Sequence, residues 1–144
     1  MKKLFVACLA SLPLLALSAD IEGDWLSVDD ETGEQRSRIT ISQAEDGTFV
    51  GNIAEIYNPS ADPSTLRCSA CTGELKDQPM IGLPLLWGLT EKNGEYTGGH
   101  IVDPESGKEY KLKAKINGDG NLEVRGFIGF SLIGRTQVWL PATP

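Results

Sequence analysis

Between residues 110 and 116 the chain alternates without a break: Tyr110, Leu112, Ala114 and Ile116 are separated by Lys111, Lys113 and Lys115. A period of two puts the apolar side chains on one side of an extended backbone and the ammonium groups on the other. Such a segment is a strand with one face in a core and one in water. It needs neighbours that cover its apolar face, and the rest of the chain offers them. Residues 23–28, 35–43, 47–57, 95–102, 121–130 and 133–140 are also β-branched or alternating, with turn-forming residues between them. Asp103-Pro104-Glu105-Ser106-Gly107 and Asn117-Gly118-Asp119-Gly120-Asn121 read as tight turns on either side of the alternating strand. Connections this short join antiparallel neighbours, because parallel pairs need long crossovers.

After residue 19 no stretch carries a sustained helical period, so about seven or eight strands must bury their apolar faces on one another. Barrel and sandwich both do this. Glycines within strands (Gly51, Gly98, Gly99, Gly126 and Gly129) mark bulges and tight corners and favour the barrel. The exception to the strand pattern is residues 58–94. A loop-like stretch there leads through Cys68-Ser69-Ala70-Cys71 into the uncharged run Met80–Leu89, interrupted by Gly82, Pro84 and Gly88. That run reads as core in the first place; a core strand, a short helix closing one barrel end and a lid over a cavity all fit it.

The first nineteen residues are of another kind. Lys2 and Lys3 precede an uncharged run from Leu4 to Leu17, then small residues at Ser18 and Ala19. These are the three parts of a secretory signal, and the run falls short of the roughly 20 residues that span a bilayer. Cys8 lies inside the apolar run and reads as part of it. Residues 1–19 are therefore expected to be a cleaved signal peptide and residues 20–144 a single exported domain. Without Lys2 and Lys3, 11 basic residues face 20 acidic ones, a net charge of −9. That balance argues against nucleic acid, whose phosphates call for a basic face, and against docking on anionic lipid.

Cys68 and Cys71 are the two thiols that remain, and in an oxidising compartment they are expected to pair as a structural disulfide. A redox C-x-x-C would want a helix N-terminus beside a strand, which the surrounding sequence does not suggest. A metal site is not expected, since His100 is the only histidine and no second ligand pair accompanies it. His100 would also have to serve any Ser-His-Asp or Cys-His chemistry, yet it sits within a strand, and no G-x-S-x-G is present. The domain reads as a binding protein without cofactor rather than an enzyme.

The candidate ligand-binding residues are Trp25, Trp87, Arg125, Arg135 and Trp139. Arg135, Gln137 and Trp139 share one face of the last strand, and Arg125 is in phase with Glu123 and Phe127 on the strand before it. Two roles suit such arginines. One is a clasp in which a guanidinium stacks on an indole and closes the barrel; the other is a cationic group that meets the polar head of an apolar ligand inside a cavity.

Gly23-Asp24-Trp25 resembles the G-x-W of lipocalins, in which the tryptophan plugs one barrel end and a late arginine packs across it. A wider pattern covers essentially the whole chain after residue 19. Its parts are Cys68-x-x-Cys71-x-Gly73, Gly82-Leu-Pro-Leu-Leu, Gly98-Gly-His-Ile-Val-Asp-Pro-Glu-Ser-Gly-Lys-Glu-Tyr110, Asn121-Leu-Glu-Val-Arg-Gly-Phe-Ile-Gly129 and Gly134-Arg-Thr-Gln-Val-Trp139. With these motifs the chain resembles a bacterial exported family with no settled activity. It departs from that pattern after Trp139, where Leu140-Pro141 stands in place of a basic residue.

The resemblance implies a small antiparallel lipocalin-like barrel in the periplasm. The function expected with it is binding of a small apolar or amphipathic molecule, with Trp25, Trp87 and Trp139 lining or closing a cavity. The alternative is a packed barrel that engages an envelope protein partner through the long 58–80 segment.

Overall fold

The computed structural model describes residues 10–11 and 20–142. The signal expected over residues 1–19 therefore falls, apart from Ala10 and Ser11, outside the described residues. Eight strands form the domain: β1 (Gly23–Val28), β2 (Gln35–Gln43), β3 (Phe49–Ile56), β4 (Pro84–Lys92), β5 (Glu95–Val102), β6 (Glu109–Ile116), β7 (Leu122–Phe127) and β8 (Gly134–Pro141). Each pairs antiparallel with the next, and β1 returns to β8 through Trp25↔Pro141 and Leu26↔Leu140. The sheet is thus a closed barrel, not a sandwich. Closure removes the unpaired edges that an open sheet would leave.

The alternation of β6 is realised in burial, with Leu112 and Ala114 inside and Lys111 and Lys115 exposed. The 80–89 run resolves as a short turn leading into β4, which starts at Pro84, where a strand tolerates proline because its first residue need not donate to the ladder. Leu83, Leu85, Leu86 and Leu89 are all buried. Two consecutive buried leucines break strict alternation. Gly88, at φ +75°, supplies the local irregularity that brings Leu89 back to the inside.

Two expected strands are shorter than the sequence suggested, 47–57 being reduced to Phe49–Ile56 and 121–130 to Leu122–Phe127. The segment 121–130 stops at Phe127, and residues 128–133 form an exposed hairpin loop in which Ile128, Phe130, Leu132 and Ile133 have no partner strand.

The two ends of the barrel differ. At one end the connections are tight, and the residues before β1 fold over them. Ile21 is fully buried, its carbonyl accepts from Trp25 Nε1 at 2.9 Å, and Phe49 meets Tyr96 edge-to-face at 5.2 Å. Burial pushes the Tyr96 hydroxyl above its usual pKa. This end is shut by packed side chains.

At the other end lie the β1–β2, β5–β6 and β7–β8 loops and the long β3–β4 connection. The last is an organised strap. It holds two short 3₁₀ turns, a bridge between Arg67 and Pro79, and the disulfide Cys68–Cys71, whose two cysteines are buried.

Candidate functional site

The β5–β6 turn and the β1–β2 and β7–β8 loops surround the mouth of a cavity of about 710 Å³ that runs into the barrel. The β8 residues that face inward mark its depth. Arg135 stands at the mouth, Gln137 lies below it, and Trp139 reaches the floor, 1 % exposed. Inward-facing positions on a strand follow one another at about 7 Å, so Gln137 sits roughly one such step beneath the rim. Ile53, Leu85, Ile101 and Val124 supply apolar wall, with Gly126 among them leaving space where a side chain would otherwise stand.

The polar groups on this wall are few. Ser27 and Ser37 face each other across β1 and β2 and share a hydrogen bond of 2.6 Å between their hydroxyls. Trp139 Nε1 donates to Gln137 Oε1 at 2.9 Å. An indole N–H is only a donor, so this bond fixes which end of the Gln137 amide is oxygen and leaves the NH₂ as the free end.

The rim is charged and stitched. Arg135 makes two hydrogen bonds to Asp30, both 2.6 Å, and lies 3.2 Å from Glu31, which ties β8 to the β1–β2 loop. Arg36 pairs with Glu105 and sits 3.6 Å from Asp29, which ties β2 to the β5–β6 turn. The hydrogen bond from Arg135 holds the Asp30 carboxyl below the usual carboxylate range and raises the guanidinium in return. Asp29 is also held low, chiefly by the backbone N–H groups of Thr32 and Glu31 that donate to it. Asp103 organises its turn in the same way, accepting from Glu105 N–H at 3.0 Å and from the Ser106 hydroxyl at 2.8 Å.

The five residues singled out in the sequence fall in three places. Arg135 and Trp139 line the cavity. Trp25 is buried nearer the shut end, hydrogen-bonded to Ile21, and is not part of the cavity wall. Trp87 and Arg125 point away from the interior. Trp87 stacks on the exposed His100 at 5.8 Å, and Arg125 donates to the Ser131 carbonyl and the Thr136 hydroxyl beside a smaller outer hollow of about 210 Å³.

Neither arginine stacks on a tryptophan among the described residues, so the expected clasp is replaced by an ion pair. The geometry gives the reason: Arg135 and Trp139 are four residues apart on one strand, about 13 Å, with Gln137 between them. Gln137 itself was passed over as a ligand group, although its phase with Arg135 and Trp139 was visible. Tyr110 and the carboxylates of the rim were also missed, since spacing alone does not reveal which loops share one end of a barrel.

The disulfide pair is buried under the strap, and the Cys68 sulfur lies 3.7 Å from the Pro104 carbonyl. His100 is on the outer surface, remote from the cavity wall. No cluster of metal-ligating side chains occurs among the described residues.

Residues 23–140 match the family described as "Uncharacterized protein conserved in bacteria (DUF2147)". The chain belongs to that family. Its fold is similar to a solved structure described as "Protein HP1028 from the human pathogen Helicobacter pylori belongs to the lipocalin family". The TM-score is 0.73 at 17 % identity, covering 87 % of this chain and 84 % of that one. At that identity the likeness concerns the fold, and it agrees with the closed eight-stranded barrel. No curated protein matches the sequence significantly. None of the helices among the described residues is long and apolar enough to cross a membrane.

Proposed function

We propose that the domain is a periplasmic carrier or sensor that holds one small, mostly apolar molecule inside the barrel. The observation that carries this reading is the cavity. At about 710 Å³ it falls within the range of small-molecule sites, with apolar side chains (Ile53, Leu85, Ile101, Val124) below a charged rim. Eight-stranded barrels either fill their interior with side chains or hold one small ligand, and here the strand positions near the mouth leave the space open. Arg135 and Trp139 bound the site at its two depths. A buried disulfide suits an oxidising compartment and supports the periplasmic part of the reading.

Gly126 provides the test. A Cβ built there would meet Ile101 and Tyr110 at ordinary contact distance, 3.5 Å, so the backbone accepts a side chain that extends into the cavity. The wild-type domain is expected to take up the neutral fluorescent probe N-phenylnaphthylamine, and Gly126→Phe is expected to lose most of that uptake while keeping its thermal transition. Equal uptake by both proteins would contradict the reading.

One observation favours the envelope-module alternative. Phe130 and Leu132, 77 % and 91 % exposed, stand at the tip of the β7–β8 hairpin with Ile128 and Ile133 beneath them. Exposed apolar patches of this kind mark contact surfaces. If this alternative holds, Phe130→Ser with Leu132→Ser abolishes capture of an envelope partner and leaves probe uptake unchanged.

A further inference from the structure

We propose that the cavity takes an uncharged amphiphile whose carbonyl-type oxygen accepts a hydrogen bond from the Gln137 amide NH₂, and that the mouth excludes anionic amphiphiles. The inference rests on the proposed cavity reading and names the ligand class for that same site.

Three observations carry it. First, both guanidiniums at the mouth are already engaged: Arg135 by two bonds to Asp30, Arg36 by Glu105 and Asp29. A ligand carboxylate could recruit either one only by displacing a carboxylate of the protein. Second, among the residues that line the mouth Asp29, Glu31, Asp103 and Glu105 outnumber Arg36 and Arg135, two positive charges against four negative, so an entering anion meets a net charge of −2. Third, the group placed deeper is neutral and a donor. Trp139 Nε1 occupies Gln137 Oε1, and Gln137 Nε2 makes no hydrogen bond within the described residues. A carbonyl, ester or amide oxygen satisfies that N–H. A hydrocarbon leaves it unpaired in an apolar site, which is costly.

A cationic head is attracted to the negative rim more than an anionic one, but it still binds less well than a neutral carbonyl compound. It has nothing to accept the Gln137 proton, and the rim carboxylates are committed: Asp29 and Asp103 to turn N–H and hydroxyl groups, Asp30, Glu31 and Glu105 to guanidiniums. Gln137 is therefore the residue that sets specificity, with Trp139 as the positioning residue that orients its amide.

The test uses displacement of N-phenylnaphthylamine by compounds of one chain length: methyl decanoate, decanoate, decyltrimethylammonium and chlorodecane. The expected order places methyl decanoate first, about fivefold tighter than chlorodecane, the worth of one hydrogen bond. Decanoate is expected to be weakest at low salt and to improve as salt screens the rim. Gln137→Leu is expected to close the gap between methyl decanoate and chlorodecane, with chlorodecane binding more tightly than to the wild type because no donor is left unpaired beside it. Gln137→Glu keeps an acceptor for Trp139 while removing the donor, and is expected to lose the same preference, which guards against misfolding of the leucine variant.

Tightest binding of decanoate or decyltrimethylammonium would overturn the inference, as would an ester preference that survives both substitutions. Failure to bind even N-phenylnaphthylamine would instead remove the cavity reading on which the inference stands.

Discussion

Arg135 and Asp30, 105 positions apart in the chain, meet at the rim of the barrel through two hydrogen bonds of 2.6 Å. The pair links the first and last strands on the open side, where the sheet closes through only two residues of each strand. Because the guanidinium holds the Asp30 carboxyl below its ordinary value of 3.8, the folded state prefers the ionised form. The stabilisation is present above about pH 3.8 and is lost as pH falls through the lower value of the folded protein. In an NMR titration the Asp30 carboxyl is expected to titrate below that ordinary value, and Arg135→Gln to move it upward. An unchanged midpoint in the variant would show that the pair does not persist in solution.

Gly107 and the strap fit together backbone to backbone. Its φ is +75°, and a Cβ built there would fall 1.8 Å from the Ala70 carbonyl oxygen. Ala70 is a backbone neighbour in the disulfide loop and cannot yield by a rotamer change. Gly107→Ala is expected to cost about 1–3 kcal/mol from the left-handed backbone alone and to loosen the strap from the β5–β6 turn. Urea unfolding checks the first part; hydrogen exchange at Cys68–Lys76 checks the second.

Trp139 has both a structural and a positioning role. Trp139→Ala is expected to destabilise the domain by about 3–5 kcal/mol, the range for truncating a large buried aromatic. Trp139→Phe keeps most of the packing, loses part of the indole's contacts and the hydrogen bond to Gln137, and is expected to cost about 1–2 kcal/mol. Denaturant midpoints for the two variants should separate, the alanine variant lying lower.

The disulfide closes a very short loop, so the chain-entropy model assigns it only about 2 kcal/mol. Paired replacement Cys68→Ser with Cys71→Ser is expected to lower stability by no more than that and to leave the barrel folded by circular dichroism. In the wild-type protein the buried sulfurs are expected to resist glutathione until the domain unfolds. Ready exchange under native conditions would revive the redox reading.

Much of the barrel was legible because its strands are short, half-buried and separated by turn residues. The pattern of Tyr110–Ile116 survives intact in β6. β4 was harder. Its buried leucines do not alternate, because Gly88 kinks the strand, and a run of that kind has no period to read. Residues 128–130 misled in the opposite direction: they carry strand-like apolar character, but they project from a hairpin where no neighbour covers them.

At the site, the shared face of Arg135, Gln137 and Trp139 was visible as a period of two. What each would meet was not. Asp30 lies a whole barrel away in sequence, and only closure brings it to Arg135. The indoles of Trp25 and Trp87 gave no sign of which surface they would join, since a tryptophan suits a plug, an outer stack or a wall equally.

The account stands on an accessible cavity that is filled by a ligand in its native setting. Native mass spectrometry of the protein expressed as its full chain in its own bacterial host and purified without detergent measures this most directly, followed by organic extraction of whatever it carries. The prediction is a stoichiometric adduct that is uncharged and mostly apolar, present on the wild-type domain and absent from Gly126→Phe. A bare polypeptide mass, two hydrogens light for the disulfide, together with no uptake of N-phenylnaphthylamine, would contradict it.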